Sequence, residues 1–179
     1  MIVVGIDYSM SSPSICIHRG KHWSFNNCSF HFLTSKKKFN WTKDAFSGTL
    51  HKDYHTEQER FDNIASWAIS HIPKTSIVGI EGYAYASKGV VFHIGENTGL
   101  LKHYLWQNKF SFDVFSPPTI KKFATGKGSA NKLAMYHSFV QETQVDISAT
   151  IDCAEGDSPM SDIIDSYYIA KYTFSKIAP

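Results

Sequence analysis

Four acidic residues have the types and positions that chemistry needs: Asp7, Glu81, Asp162 and Asp165. Asp7 ends the apolar run Val3-Val4-Gly5-Ile6, and Glu81 ends Ile77-Val78-Gly79-Ile80, so an apolar strand, a glycine and a carboxylate occur twice. An acid where a hydrophobic strand surfaces is held by a rigid element, as a metal or catalytic centre requires. Ligands of open α/β sheets gather at such strand ends. Asp162 and Asp165 are i, i+3 in a helical stretch and share one face, although near a helix N-terminus they also simply offset the dipole. If that helix crosses the sheet end, the four acids meet and raise one another's pKa values. Two hard divalent cations relieve such repulsion, Mg²⁺ for preference with Mn²⁺ as substitute. Ions about 4 Å apart activate water and stabilise the attacking and leaving oxygens of a phosphodiester in line.

The elements that must position these acids are legible in the hydrophobic pattern. Strands are expected at 3–7, 14–19, 21–32, 76–81 and 112–115, the first three forming an antiparallel N-terminal set. Helices are expected at 57–72, 90–109, 119–124, 131–142 and 159–176. In the first of them Phe61, Ile64, Ala65, Ala68, Ile69 and Ile72 form one stripe, with Pro73 just beyond. Residues 33–56 lose the pattern and read as a basic excursion that contacts a charged partner. His51 and His55 there have the i, i+4 spacing of a zinc helix, but Lys52 stands where the helix would carry Glu, so no zinc site is expected.

A chain of 179 residues suits one domain over 1–179, and 42% apolar with 19% charged residues is a globular composition. There is no apolar run approaching the roughly 20 residues of a membrane span, and Met1 leads directly into a strand, so a cytoplasmic protein is expected. Cys16, Cys28 and Cys153 support neither a disulfide framework nor a zinc knuckle. The net charge of +2 says little until its placement is considered. Only Arg19 and Arg60 are arginines; the lysines cluster at Lys36-Lys37-Lys38 and at Lys121, Lys122, Lys127 and Lys132. Lysine meets phosphate as a point charge without bidentate base readout, which favours contact with a nucleic-acid backbone. The glycines around Lys127 do not match a nucleotide P-loop at any offset, and a basic turn facing phosphate is the better reading.

Taken together, these residues resemble the RuvC Holliday-junction resolvases of the ribonuclease H-like superfamily. The likeness lies in the order Asp, Glu on the fourth strand and Asp-x-x-Asp on the last helix. It lies also in Gly95-Glu96-Asn97-Thr98-Gly99 and in Pro118-Thr119-Ile120-Lys121-Lys122 through Gly126-Lys127-Gly128-Ser129-Ala130-Asn131-Lys132. The resemblance covers nearly the whole chain. It implies an α/β, ribonuclease H-like mixed sheet of three antiparallel N-terminal strands and then two parallel strands, flanked by helices. It implies that Asp7, Glu81, Asp162 and Asp165 bind two Mg²⁺ ions, and that Lys121 and Lys132 hold the phosphate. It further implies a homodimer cutting branched DNA, four-way junctions above all, by paired nicks. The family's stacking aromatic falls at Ala84, leaving Tyr83 and Tyr85 for that role. The long basic excursion, with Lys36, Lys37 and Lys38, fits a divergent, phage-encoded member acting in bacterial or phage-infected cytoplasm.

Other readings differ in class. Ribonuclease H-like enzymes that cut RNA·DNA hybrids, flaps or transposon ends share the acids but not the paired-lysine turn. A silent junction-binding module would have no need of all four acids. Gly5-Ile6-Asp7-Tyr8-Ser9 also resembles the first phosphate loop of actin-like ATPases, but 179 residues cannot supply two large lobes.

Overall fold

The computed structural model describes residues 1–82 and 91–177. Its centre is β1 (Ile2–Asp7), which pairs antiparallel with β2 (Ser14–Arg19), itself antiparallel to β3 (Cys28–Thr34). On the other side β1 runs parallel to β6 (Ile77–Glu81), and β6 parallel to β7 (Ser111–Phe115). This is the expected mixed α/β sheet. Beyond β3 the sheet continues through β5 (Phe46–Leu50), parallel to β3, and the short β4 (Thr42–Lys43), giving seven strands in the order β4-β5-β3-β2-β1-β6-β7.

Two sequence expectations are corrected here. Residues 33–56 are not an irregular excursion, because they supply β4 and β5. The expected strand at 21–32 forms only from Cys28; Phe25–Asn27 is a 3-10 turn, and Trp23 stacks on His18 and meets Tyr167 edge-on.

Helices cover both faces. On one face lie α1 (Glu57–His71) and α2 (Val91–Gln107), over a core of Val4, Ile6, Ile64, Ala68, Val78, Ile80, Leu101 and Leu105. The Thr56 side chain caps α1 by accepting from the Glu59 N–H, and the Glu59 carboxylate accepts from the His55 N–H. On the other face lies α6 (Met160–Ile177), buried along most of its length and supported by α3 (Pro117–Thr125) and α4 (Lys132–Thr143). A short helix, α5 (Ser148–Ile151), precedes α6. Among the described residues, no helix is long and apolar enough to cross a membrane.

Candidate active site

Strand alternation and register decide where the first two acids point. Ile6 pairs with Ile80 in the parallel β1–β6 ladder, so Asp7 and Glu81 follow as neighbours at the same end. Val4, Ile6, Val78 and Ile80 face α1 and α2, while a Cβ at Gly5 or Gly79 would meet α6. Side chains alternate along a strand, so Asp7 and Glu81 belong to the α6 face. Helix α6 begins there, with Asp162 in its first turn and Asp165 one turn on.

The electrostatics join the four. Burial, then repulsion from Asp165, Glu81 and Asp162, pushes the Asp7 carboxyl well above the usual carboxylate range, with Lys132 pulling the other way. Burial and then Asp165 push Glu81 up to about 8, against the opposing pull of Lys121. Burial and then Asp162 push Asp165 up to about 7, opposed by Lys132 and Lys121. Residues from β1, β6, α3, α4 and α6 thus share one field. The lysines reach it from α3 and from the start of α4, on the two sides of the turn that joins those helices. Gly126 ends α3 at φ 79°, a conformation that favours glycine, and the Asn131 side chain caps α4 by accepting from the Ala134 N–H. The Lys132 ammonium donates to Ser161 Oγ at 3.0 Å, directly beside Asp162.

The donors are hard oxygens on partly buried, mutually repelling carboxyls, which fits Mg²⁺ or Mn²⁺ rather than a soft metal. As the side chains stand, no three His, Cys, Asp or Glu groups among the described residues close on one point. The shared field and the open geometry are compatible, because Mg²⁺ commonly takes one or two protein carboxylates and fills its shell with water and phosphate oxygens.

Residues to which the sequence assigned no role complete the surroundings. Ser12, in the turn after β1, donates its hydroxyl to Asp162 Oδ2 at 2.7 Å across 150 residues of chain. Asp7 and Glu81 also line a cleft of about 430 Å³ with Met10, Ser11, Arg60 and Asn97. Asn97 is buried and accepts from the Tyr8 hydroxyl at 3.2 Å. Asn97 lies in the Gly95–Gly99 run that carries part of the family resemblance, which assigned it no role. Ser12 and Arg60 gave no sequence signal, since their partners are remote in sequence.

The other expected DNA contacts divide. Lys122 and Lys127 are exposed around the α3–α4 turn. Lys36, Lys37 and Lys38 are exposed, the last two within a 3-10 turn that Lys36 precedes, and Lys38 pairs with Asp152 at 3.6 Å. Tyr83 and Tyr85 lie outside the described residues. His51 is engaged through Nε2, which donates to the Ser11 carbonyl at 2.8 Å.

Comparison with protein-family models and with curated sequences gives no match. Among solved structures, Thermus thermophilus RuvC superposes with a TM-score of 0.60 at 14% identity, over 99% of this chain and 96% of that one. T. thermophilus RuvC in complex with a Holliday junction substrate gives 0.59 at 15% identity, over 98% and 93%. Fowlpox virus resolvase, in complex with its substrate Holliday junction DNA, gives 0.56 at 14%, over 99% of both chains. The chain therefore shares the fold of RuvC and of the fowlpox virus resolvase, a mixed α/β sheet flanked by helices.

Proposed function

We propose that this chain, as one domain over 1–179, is a Mg²⁺-dependent, structure-selective DNA endonuclease that resolves Holliday junctions and other branched DNA by paired nicks. The observation that carries the reading is the joint field of partly buried carboxyls and two lysines at one sheet end. Asp7, Glu81, Asp162 and Asp165 would hold two Mg²⁺ ions. Bound there, the ions supply an activated water and charge neutralisation at the phosphorus. Ser12 and Ser161 orient the Asp162 carboxylate and the Lys132 ammonium. Lys121 and Lys132 bring positive charge to the phosphate, where it offsets the charge that develops as the bond breaks.

The test is cleavage of four-way junction, flap, duplex and RNA·DNA hybrid substrates in Mg²⁺. Paired nicks in the junction are expected, and preferential cutting of the hybrid's RNA strand would overturn the substrate assignment. Lys121→Ala and Lys132→Ala should each lower the single-turnover nicking rate about 10²-fold, the scale for losing one preorganised electrostatic contact. Unchanged rates would remove both lysines from the chemistry.

A junction with two-fold symmetry calls for a two-fold enzyme. The outer face of α2 suits a second copy. Phe92 is 78% and Trp106 69% exposed, and nothing lies within 4 Å of a Cβ built at Gly95 or Gly99 between them. Phe92, Gly99 and Trp106 are spaced by seven and form one helical stripe. Trp106→Glu should convert a sedimenting dimer to monomer with its circular dichroism intact. A wild-type chain that sediments as monomer at micromolar concentration removes this interface.

A further inference from the structure

The catalytic cleft does not end at its own walls. It shares Met10, Ser11 and Arg60 with a smaller hollow of about 170 Å³ that reaches Ser35, His51 and Tyr54. That hollow shares Ser35, His51 and Tyr54 with a third, of about 600 Å³, whose walls include Lys37, Lys52 and Asp53. The three form a track from Asp7 and Glu81 to the outer end of β5 and the loop that follows it.

The track has the chemistry of a nucleic-acid path. Beyond Asp7 and Glu81, Arg60, Lys37 and Lys52 line it against one acid among the described residues, Asp53, and Lys36 is exposed beside Ser35. Tyr54 is 44% exposed, and the Arg60 guanidinium lies 5.3 Å from its ring centroid, leaving the ring braced on a cation. The floor is fixed to the catalytic turn. Arg60 Nη2 donates to the Met10 carbonyl at 3.0 Å and its Nη1 pairs with Glu57 at 3.8 Å, while His51 holds Ser11. An exposed aromatic ring beside a line of lysines suits unpaired bases, which offer a free π-face; bases within a duplex are already stacked.

We infer that this track binds a single DNA strand leaving the cleavage site, with Tyr54 stacking on one of its bases and Lys36, Lys37 and Lys52 meeting its phosphates. The inference rests on the nuclease reading for its substrate and adds the single-stranded arm of branched DNA as a ligand.

The experiment uses a flap substrate whose single-stranded arm carries 2-aminopurine, titrated with the Asp7→Asn chain in Mg²⁺, together with an unlabelled oligothymidylate competitor. Stacking on Tyr54 quenches the probe. Tyr54→Ala in that background should abolish the quench and weaken oligothymidylate binding about tenfold, within the range for losing one base–aromatic stack. Tyr54→Phe should restore both, because the ring rather than the hydroxyl does the stacking. Equal affinity and quenching for Tyr54→Ala and the parent would overturn the track, whatever the wild-type chain cuts. A wild-type chain that cuts no branched DNA but still shows the Tyr54-dependent quench would overturn the nuclease reading and leave the track standing.

Discussion

Asp7→Asn should leave the chain unable to nick a four-way junction, with a loss of about 10³-fold or more, while making the ion-free fold more stable. Both effects have one cause. Asp7 is half-buried beside Asp165, Glu81 and Asp162, so its ionised form is opposed by desolvation and by three neighbours of like charge. Asparagine keeps the shape and removes the charge. The sign follows from proton uptake. Glu81 moves from 4.5 to about 8 and Asp165 from 3.8 to about 7, so between pH 4 and pH 8 the folded chain binds more protons at these sites than the unfolded chain. Stability then falls as pH rises through that window, and the deficit is complete only above the folded-state values. In chelator, the wild-type melting temperature should therefore drop more between pH 5 and pH 8 than that of Asp7→Asn. At pH 8 the variant should melt about 5 °C higher, the shift that roughly 2 kcal/mol produces in a chain of this size. Added Mg²⁺ should raise the wild-type melting point more than the variant's, since a ligand stabilises only the form that binds it. A variant that melts lower than wild type at pH 8 in chelator would mean that partners support the Asp7 carboxylate, and the proposed ion site would lose its electrostatic basis.

How far the sequence disclosed this arrangement depends on how local each signal is. The two acid-ended strands and the i, i+3 pair were readable because period-two and period-3.6 patterns bear directly on orientation. The α3–α4 turn was readable because Gly126 and Asn131 mark a helix end and a helix start. Strand β5 was hidden for a physical reason. Its inward positions are Phe46, Gly48 and Leu50, and the middle one cannot be apolar, since a Cβ there would lie 1.9 Å from the Phe39 carbonyl oxygen. A close backbone approach thus removed the alternation by which strands are recognised. The opposite error occurred at Trp23 and Phe25, whose spacing imitates a strand. Their rings instead pack on Tyr167 from a turn. Ser12 and Arg60 carry no local signature at all, because each acts on a group that only the fold brings near.

The same dependence on close approach makes Gly5→Ala a damaging substitution at the element that gathers the acids. Gly5 and Gly79 are paired in register, each two residues before its acid, and α6 crosses over both. A Cβ at Gly5 would lie 2.2 Å from the Ala170 nitrogen and 2.3 Å from the Ser166 carbonyl oxygen. Both are helix backbone atoms, with no rotamer through which to escape. At Gly79 the nearest atom, at 2.0 Å, is the Thr173 hydroxyl oxygen, which belongs to a side chain that can turn. Overpacking costs about 1–3 kcal/mol where neighbours can adjust, and more where they cannot. Gly5→Ala should therefore cost about 3 kcal/mol or more in urea unfolding, and Gly79→Ala about 1 kcal/mol. Activity should separate the two further. To admit the methyl group, α6 must lift from β1, and α6 carries Asp162 and Asp165 to their meeting with Asp7 and Glu81. Junction cleavage should thus collapse in Gly5→Ala even at temperatures where the variant is fully folded, while Gly79→Ala retains most of it. A Gly5→Ala chain with ordinary stability and ordinary cleavage would show that α6 does not rest on β1 here, and the four acids would lose the element that gathers them.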